Sequence, residues 1–394
     1  MKIVIITPIL YDENSPFNHL FKDIIQTYID NGHEIVRIVA VENYGEKAYK
    51  LGIESDKIEY VEVKRKRVKK SNIILRYLKD TLTTIKMARK LKKIKDADAL
   101  FEDVGYSSYW SVKSAKKRKL KVISMLQDVW PDNAVMSGII SNGGMIYNFF
   151  EGWQKKVYKL SDKIICISED MKAFIASKGD YENKISVIYN WGYSDELANI
   201  NWEENEFVKK FNLSSDMFYV VYAGNIGRMQ NVELIIRSAE KLSAYEKIKF
   251  LIIGDGVYKE EIKLNVEKEG ISNVEFLPFQ QARLATSIYS SASVNVIPLV
   301  EGGIKTALPS KTGVVLSCGK PAIFCFGNDC EFAKVVKDCD GVECVDSINE
   351  FYLVEKILEI YNKGIKESNG AKEMFNKLFS RTINMEKYLC VLEK

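Results

Sequence analysis

Histidine is nearly absent. His19 and His33 are the only two imidazoles in 394 residues, which excludes a histidine-rich metal centre. The seven cysteines, at 166, 318, 325, 330, 339, 344 and 390, form no CxxC pair. An odd, scattered set reads as reduced thiols and a cytoplasmic setting, not as a disulfide framework. Cys325, Cys330, Cys339 and Cys344 cluster, but their spacings match no usual zinc pattern, so no metal is expected. Long apolar runs are missing too. Two stretches carry no charge, 133–150 and 284–300, and each is broken by Ser, Asn, Gly or Pro. Spanning a bilayer takes roughly 20 mostly apolar residues. Met1-Lys2 leads into a short apolar run that reads as a first strand, not as a secretory leader. The expectation is a soluble or peripheral protein.

What is present suits a globular chain: 46% apolar, 11% aromatic and a net charge of +4. Its length implies two or three domains. Strand-like runs fall at 2–9, 34–41, 58–63, 97–104, 121–127, 163–168 and 185–190, with helical stretches such as 16–31, 73–94 and 107–118 between them. Ser15-Pro16 reads as a cap followed by proline in the first helical turn. Asn31-Gly32-His33 reads as a stop. Such alternation predicts a parallel sheet covered on both faces. The pattern restarts after Asn190 and an acidic connection, with strands at 218–223, 248–253, 274–277, 294–300, 322–326 and 341–345. The fold class is therefore α/β, with two doubly wound Rossmann-like domains facing a central cleft. The expected bounds are 1–192, 193–370 and a helical tail at 371–394. Ligands should bind at the carboxyl ends of the strands.

The most pointed signal is Pro309-Ser310-Lys311-Thr312 after an apolar strand, with Gly319-Lys320-Pro321 shortly beyond. Ser310, Lys311 and Thr312 lie where a helix begins, and free N–H groups and an ammonium there favour an anion. A solvated lysine at a helix start is the plain alternative. Gly224-Asn225-Ile226-Gly227-Arg228 follows the first strand of the second half, where glycines let backbone approach a ligand and Arg228 offers a fork to phosphate. Gly254-Asp255-Gly256 ends the next strand, and Phe279 follows the third. In the first half, Gln127-Asp128-Val129-Trp130-Pro131 puts a carboxylate at a strand's carboxyl end; it either faces the cleft or caps a turn.

From Lys64 to Lys95 basic residues crowd against a single acid, Asp80. A solvated helix face would look the same, but so one-sided a cluster suits an anionic membrane surface. No recognised nucleic-acid module appears, so nucleic acid is not expected. Met145–Trp153 gathers aromatics that read as a packed core helix or as a segment buried among lipid headgroups.

Taken in order, these pieces resemble glycosyltransferase family 4, of the GT-B fold. The resemblance rests on Gln127–Pro131, Ser161–Met171, Val187–Trp191, Tyr222–Gly227, Pro309-Ser310-Lys311 and Gly319-Lys320-Pro321. It is nearest to bacterial surface-polysaccharide transferases that carry Pro-Ser-Lys. The family's two glutamates fall on Thr306 and Val314 here, and its usual Arg and Lys on Asn225 and Gln230. The glycine pair common after the first strand is missing from Tyr11–Asn18.

The resemblance implies a metal-independent, retaining transfer from a nucleotide-sugar, expected to be a UDP-linked N-acetyl-amino sugar, to a polyprenyl-diphosphate-linked or other glycan acceptor. In place of the family's Arg and Lys, Lys311 and Arg228 are the candidates for the phosphate contacts and, with Asp128, for catalysis; Gly224, Asn225, Gly227, Gly254, Phe279, Ser310 and Thr312 are the candidates for donor binding. The basic cluster and the aromatic segment suit a lipid-linked acceptor and place the protein at the inner face of the plasma membrane, and the resemblance points to capsule or O-antigen synthesis. The rival readings are a non-catalytic, membrane-associated subunit of a polysaccharide complex and a sugar-nucleotide epimerase of the same fold.

Overall fold

The structure, a computed structural model, describes residues 1–10, 18–44, 48–65, 73–192 and 198–393. The chain forms two compact units. One comprises Met1–Val135, Ile140–Tyr189 and Met385–Lys394, the other Met136–Ile139 and Asn190–Asn384. The Ser15-Pro16 cap and most of Tyr11–Asn18 lie outside the described residues.

The first unit holds β1 (Lys2–Leu10), β2 (Glu34–Val41), β3 (Ile58–Lys64), β4 (Ala99–Asp103), β5 (Lys121–Met125), β6 (Lys163–Cys166) and β7 (Ile185–Val187). They form one parallel sheet in the order β3-β2-β1-β4-β5-β6-β7. Sequence explains this directly. All five residues of β4 are buried, as a strand covered on both faces requires. Val4, Ile6, Val36, Ile38, Leu100 and Val122 pack against Met87 and Leu91 of the helix Ile73–Leu91, and against Val112 and Ala115 of the helix Tyr109–Lys117. Each such buried side chain contributes about 1.5–3 kcal/mol of transfer free energy.

The second unit repeats the plan with β8 (Phe218–Asn225), β9 (Ile248–Asp255), β10 (Val274–Leu277), β11 (Val294–Pro298), β12 (Ala322–Cys325) and β13 (Val342–Val345). The order is β10-β9-β8-β11-β12-β13. In both sheets the winding reverses beside the unit's first strand, at β1/β4 and at β8/β11. Doubly wound sheets open a ligand crevice at that point, outside the carboxyl ends.

The C-terminal stretch is not one helix. Asn369–Met374 leads into a π-helical turn, Phe375–Phe379, and Ser380 is extended (φ −67°, ψ 138°) before Arg381–Glu393. Asn384 Nδ2 donates to the carbonyls of Leu378 and Ser380 across the broken turn, and Asn384 N–H also donates to Ser380 O. The last helix lies against the first unit's sheet. Lys121 Nζ donates to Val391 O (3.2 Å) and Leu392 O (2.6 Å), and Tyr388 OH donates to Met125 Sδ (3.3 Å).

Candidate functional site

In the second unit, β8 and β9 stay paired to their ends, Gly224 beside Gly254 and Asn225 beside Asp255. The approach is close. A Cβ on Gly254 would lie 1.9 Å from Gly224 O, and one on Gly224 would lie 2.4 Å from Lys311 Nζ. Both glycines hold φ near +150°, a region that side-chain-bearing residues avoid. Glycine at 224 thus makes the space that the Lys311 ammonium fills.

Lys311 precedes the short helix Thr312–Ser317. Its Nζ donates to Ala223 O (2.7 Å) and sits 4.1 Å from the centre of the Tyr222 ring. Tyr289 OH donates to the same carbonyl at 3.1 Å. No carboxylate pairs with Lys311 among the described residues. Burial without a counter-charge pushes its amine down to about 7.

The helix start differs in detail from expectation. Its cap position is Lys311, with no side-chain cap. Ser310 is exposed, whereas Thr312 is 1% exposed and donates its hydroxyl to Pro309 O at 2.7 Å. A six-residue helix has a small dipole, so the ammonium and the local N–H groups carry most of the positive potential.

Arg228 is exposed at the start of a 3-10 turn, its guanidinium carbon 5.8 Å from the Tyr258 ring centre. Asn225 Nδ2 donates to Gln230 Oε1 at 2.9 Å, so the two positions expected to hold Arg and Lys form an amide pair. Thr306 is fully buried and donates to Gly303 O, and Val314 is buried in the short helix. Neither supplies what the absent glutamates would. Phe279 is 69% exposed, an open ring beyond β10. Its neighbour Gln280 is buried, held by Lys210 Nζ at 2.7 Å.

In the first unit, Asp128 follows β5. Water reaches it, yet the protein packed around it pushes its carboxyl up to about 6. The segment that carries it is anchored just downstream. Lys178 Nζ pairs with Asp132 at 2.8 Å and with Glu151 at 3.3 Å, and Tyr147 OH donates to Asp132 at 2.9 Å. Asp103, at the carboxyl end of β4, was missed by the sequence reading. The rule that singled out Asp128, an acid closing a strand, applied to it equally.

The aromatic segment divides. Tyr147 and Phe150 are buried, while Met145, Ile146 and Phe149 are exposed. Phe150 meets Tyr77 of the helix Ile73–Leu91, ring centres 5.3 Å apart. That helix exposes Leu75, Leu78 and Leu82 as one stripe, followed by exposed Lys86, Arg89 and Lys90. Lys66, Arg67, Lys69 and Lys70 lie outside the described residues. Among the described residues, no helix is long and apolar enough to cross a membrane.

Two family models match in succession: "Glycosyltransferase Family 4" over residues 19–191 and "Glycosyl transferases group 1" over 203–374. The chain is 23% identical over 274 residues to the probable glycosyltransferase WbjE of Pseudomonas aeruginosa, covering 68% of this chain and 67% of that protein. It is 21% identical over 243 residues to the putative colanic acid biosynthesis glycosyl transferase WcaI of Escherichia coli K12, covering 59% of this chain and 60% of that protein. The structure of HepE from Anabaena in complex with UDP superposes with a TM-score of 0.72 over the whole of both chains, at 14% identity.

Proposed function

The chain is a GT-B, glycosyltransferase family 4-like protein, and on that premise we propose that it moves a sugar from a UDP-linked donor to a lipid-linked glycan acceptor during bacterial surface-polysaccharide assembly. One observation carries the donor half: a lysine, Lys311, half-buried beside the Gly224 turn with no carboxylate partner among the described residues. An unpaired ammonium so enclosed is costly, and a diphosphate removes that cost. HepE, which shares the fold, binds UDP, and the name of WcaI refers to colanic acid. These support a uridine donor and a polysaccharide product. An N-acetylated amino sugar remains our choice of donor sugar from the Pro-Ser-Lys resemblance.

The chemistry follows from charge. As the bond from the anomeric carbon to the diphosphate breaks, negative charge grows on the leaving group. Lys311, Arg228 and the N–H groups at Ser310–Thr312 stabilise it, without a metal. A single preorganised donor of this kind is worth about 10²–10³ in kcat. Phe279 stacks on the base. The acceptor oxygen bonds to the anomeric carbon on the face the diphosphate leaves, its proton passes to the departing phosphate, and the configuration is retained. Asp128 orients the acceptor hydroxyl. The leucine stripe and the basic residues of the helix Ile73–Leu91, with Met145, Ile146 and Phe149, hold the protein on the anionic inner face of the membrane.

A second reading, a non-catalytic subunit of an assembly complex, draws on Thr306 and Val314, which replace both glutamates. Thermal shift and calorimetry with UDP, GDP and ADP, followed by turnover assays across UDP-sugars, separate the two. The catalytic reading expects UDP-selective binding and product. UDP binding without turnover on any donor gives the subunit reading, and no UDP binding overturns both.

A further inference from the structure

A second cluster, in the first unit, extends the glycosyl-transfer reading and rests on it. In the sheet register Ile6 of β1 lies beside Glu102 of β4, and Asp103 lies beside Met125 of β5. Thr7, Asp103 and Met125 therefore form a row on one face at the carboxyl ends of three neighbouring strands. Asp128 lies three residues beyond Met125. Thr7 is 1% exposed and its hydroxyl has no hydrogen-bond partner among the described residues. Asp103 is 6% exposed and its carboxyl makes no hydrogen bond among the described residues. Buried polar groups are ordinarily paired. Two in one row, without side-chain partners among the described residues and with Asp128 within electrostatic reach of Asp103, mark a place for a ligand's hydroxyl groups.

The ionisable groups that act on Asp103 among the described residues are Asp128, Glu102 and Tyr388. Burial, and then the charge of Asp128, pushes Asp103 up to about 7. Glu102 points to the opposite face, where Ser111 donates to it at 2.7 Å, and burial pushes it up to about 8. Tyr388, from the C-terminal helix, is a phenol that burial and Asp103 keep neutral. Asp128 ionises first, and the remaining proton stays on Asp103 until its charge joins that of Asp128.

We infer that Thr7, Asp103 and Asp128 form the subsite for a saccharide acceptor bearing adjacent hydroxyls. The Asp128 carboxylate accepts from the reacting hydroxyl. The neutral carboxyl of Asp103 and the Thr7 hydroxyl hold the neighbouring one. When the second proton leaves, above about pH 7, the subsite loses a donor and acceptor binding weakens.

Carbon-13 NMR of the full chain labelled at the aspartate carboxyl carbons tests the pair without any turnover. In the wild type two steps lie above the ordinary aspartate range. In Asp128→Asn the Asp103 step moves down, because the neighbouring charge is gone; a step that stays in place overturns the pairing. Kinetics test the subsite, with UDP-N-acetylglucosamine as donor and a short prenyl-diphosphate-linked saccharide as acceptor. Wild-type KM for the acceptor rises up to about tenfold per pH unit above neutrality. Asp103→Asn keeps a donor at every pH and flattens that rise, and Thr7→Val raises acceptor KM with the donor-dependent melting shift unchanged. Parallel pH profiles in wild type and Asp103→Asn overturn the subsite. Loss of all turnover alongside a carboxyl titration as expected counts against the glycosyl-transfer reading and leaves the coupling of the two carboxyls standing.

Discussion

Replacing Lys311 with methionine should make the free protein more stable and blind it to UDP. In the unfolded chain this amine stays protonated to about 10.4, whereas in the folded protein burial lowers it to about 7. Below pH 7 both states are charged, and the folded state bears the full cost of burying the charge. That cost is of order 4 kcal/mol at about 1.4 kcal/mol per tenfold change in proton affinity. Between pH 7 and about 10 the unfolded state binds the extra proton, so wild-type stability rises with pH through that window. Methionine fills similar volume and packs its sulfur on the Tyr222 ring, but loses the hydrogen bond to Ala223 O, worth about 1 kcal/mol. The net gain at pH 6.5–7 is therefore about 1–3 kcal/mol, a rise of several degrees in Tm at roughly 2–4 °C per kcal/mol for a unit of this size. UDP should raise the wild-type Tm and leave that of Lys311→Met unchanged. Calorimetry adds a second readout. A diphosphate beside Lys311 restores its high proton affinity, so at pH 8 binding takes up close to one proton, and the apparent enthalpy differs between Tris and phosphate buffers. A Lys311→Met protein that is less stable than wild type at pH 7 and still shifted by UDP would refute the reasoning.

Gly224→Ala places a methyl 2.4 Å from Lys311 Nζ at a φ of +151°; backbone strain of about 1–3 kcal/mol should lower the Tm, and UDP should no longer raise it. Phe279→Ala removes a ring that is 69% exposed, so stability stays within error while the Kd for UDP rises about 5–150-fold, from a stacking energy of about 1–3 kcal/mol per base; an unchanged Kd in calorimetry means the ring does not meet the base. Leu78→Glu with Leu82→Glu should abolish sedimentation with phosphatidylglycerol vesicles at both low and high salt. Lys86→Glu with Arg89→Glu should cost about 2 kcal/mol, at about 1 kcal/mol per basic residue near the surface, and only at low salt; vesicle binding unaffected by either pair removes the membrane from the proposal.

The sheets were legible because parallel strands buried on both faces spell near-continuous apolar runs, as Ala99–Asp103 and Val294–Pro298 do. The Gly224 turn and Lys311 were legible because each occupies the carboxyl-end position that a doubly wound sheet uses for ligands. What could not be read were relations between distant residues. Nothing local ties Lys311 to Ala223, Asn225 to Gln230 as a bonded pair, or Tyr388 to Met125. The interruption at Ser380 was invisible because Asn384 stabilises it by reaching back to carbonyls of the preceding turn. Periodicity in Met145–Trp153 could not show which aromatics the neighbouring helix covers, and it covers Phe150 while leaving Phe149 exposed.

Each unit keeps ionisable groups that its own fold leaves unpaired, and the two sets are chemically complementary to different halves of one reaction. Stability alone disfavours both. A half-buried amine with no carboxylate partner and a buried carboxyl with no hydrogen bond, among the described residues, could each be replaced by an apolar residue of similar size at little cost or some gain. In the second unit the unpaired group is a cation beside a glycine turn, which is what an anionic leaving group needs. In the first it is a carboxyl row with an idle hydroxyl, which is what a polyol needs. With Thr306 and Val314 in place of the glutamates, the second unit carries less negative charge there; if it binds the diphosphate as proposed, the electrostatic load falls on Lys311 and Arg228, and carboxylate chemistry on Asp103 and Asp128. A purely structural role gives no reason for such costs in either unit.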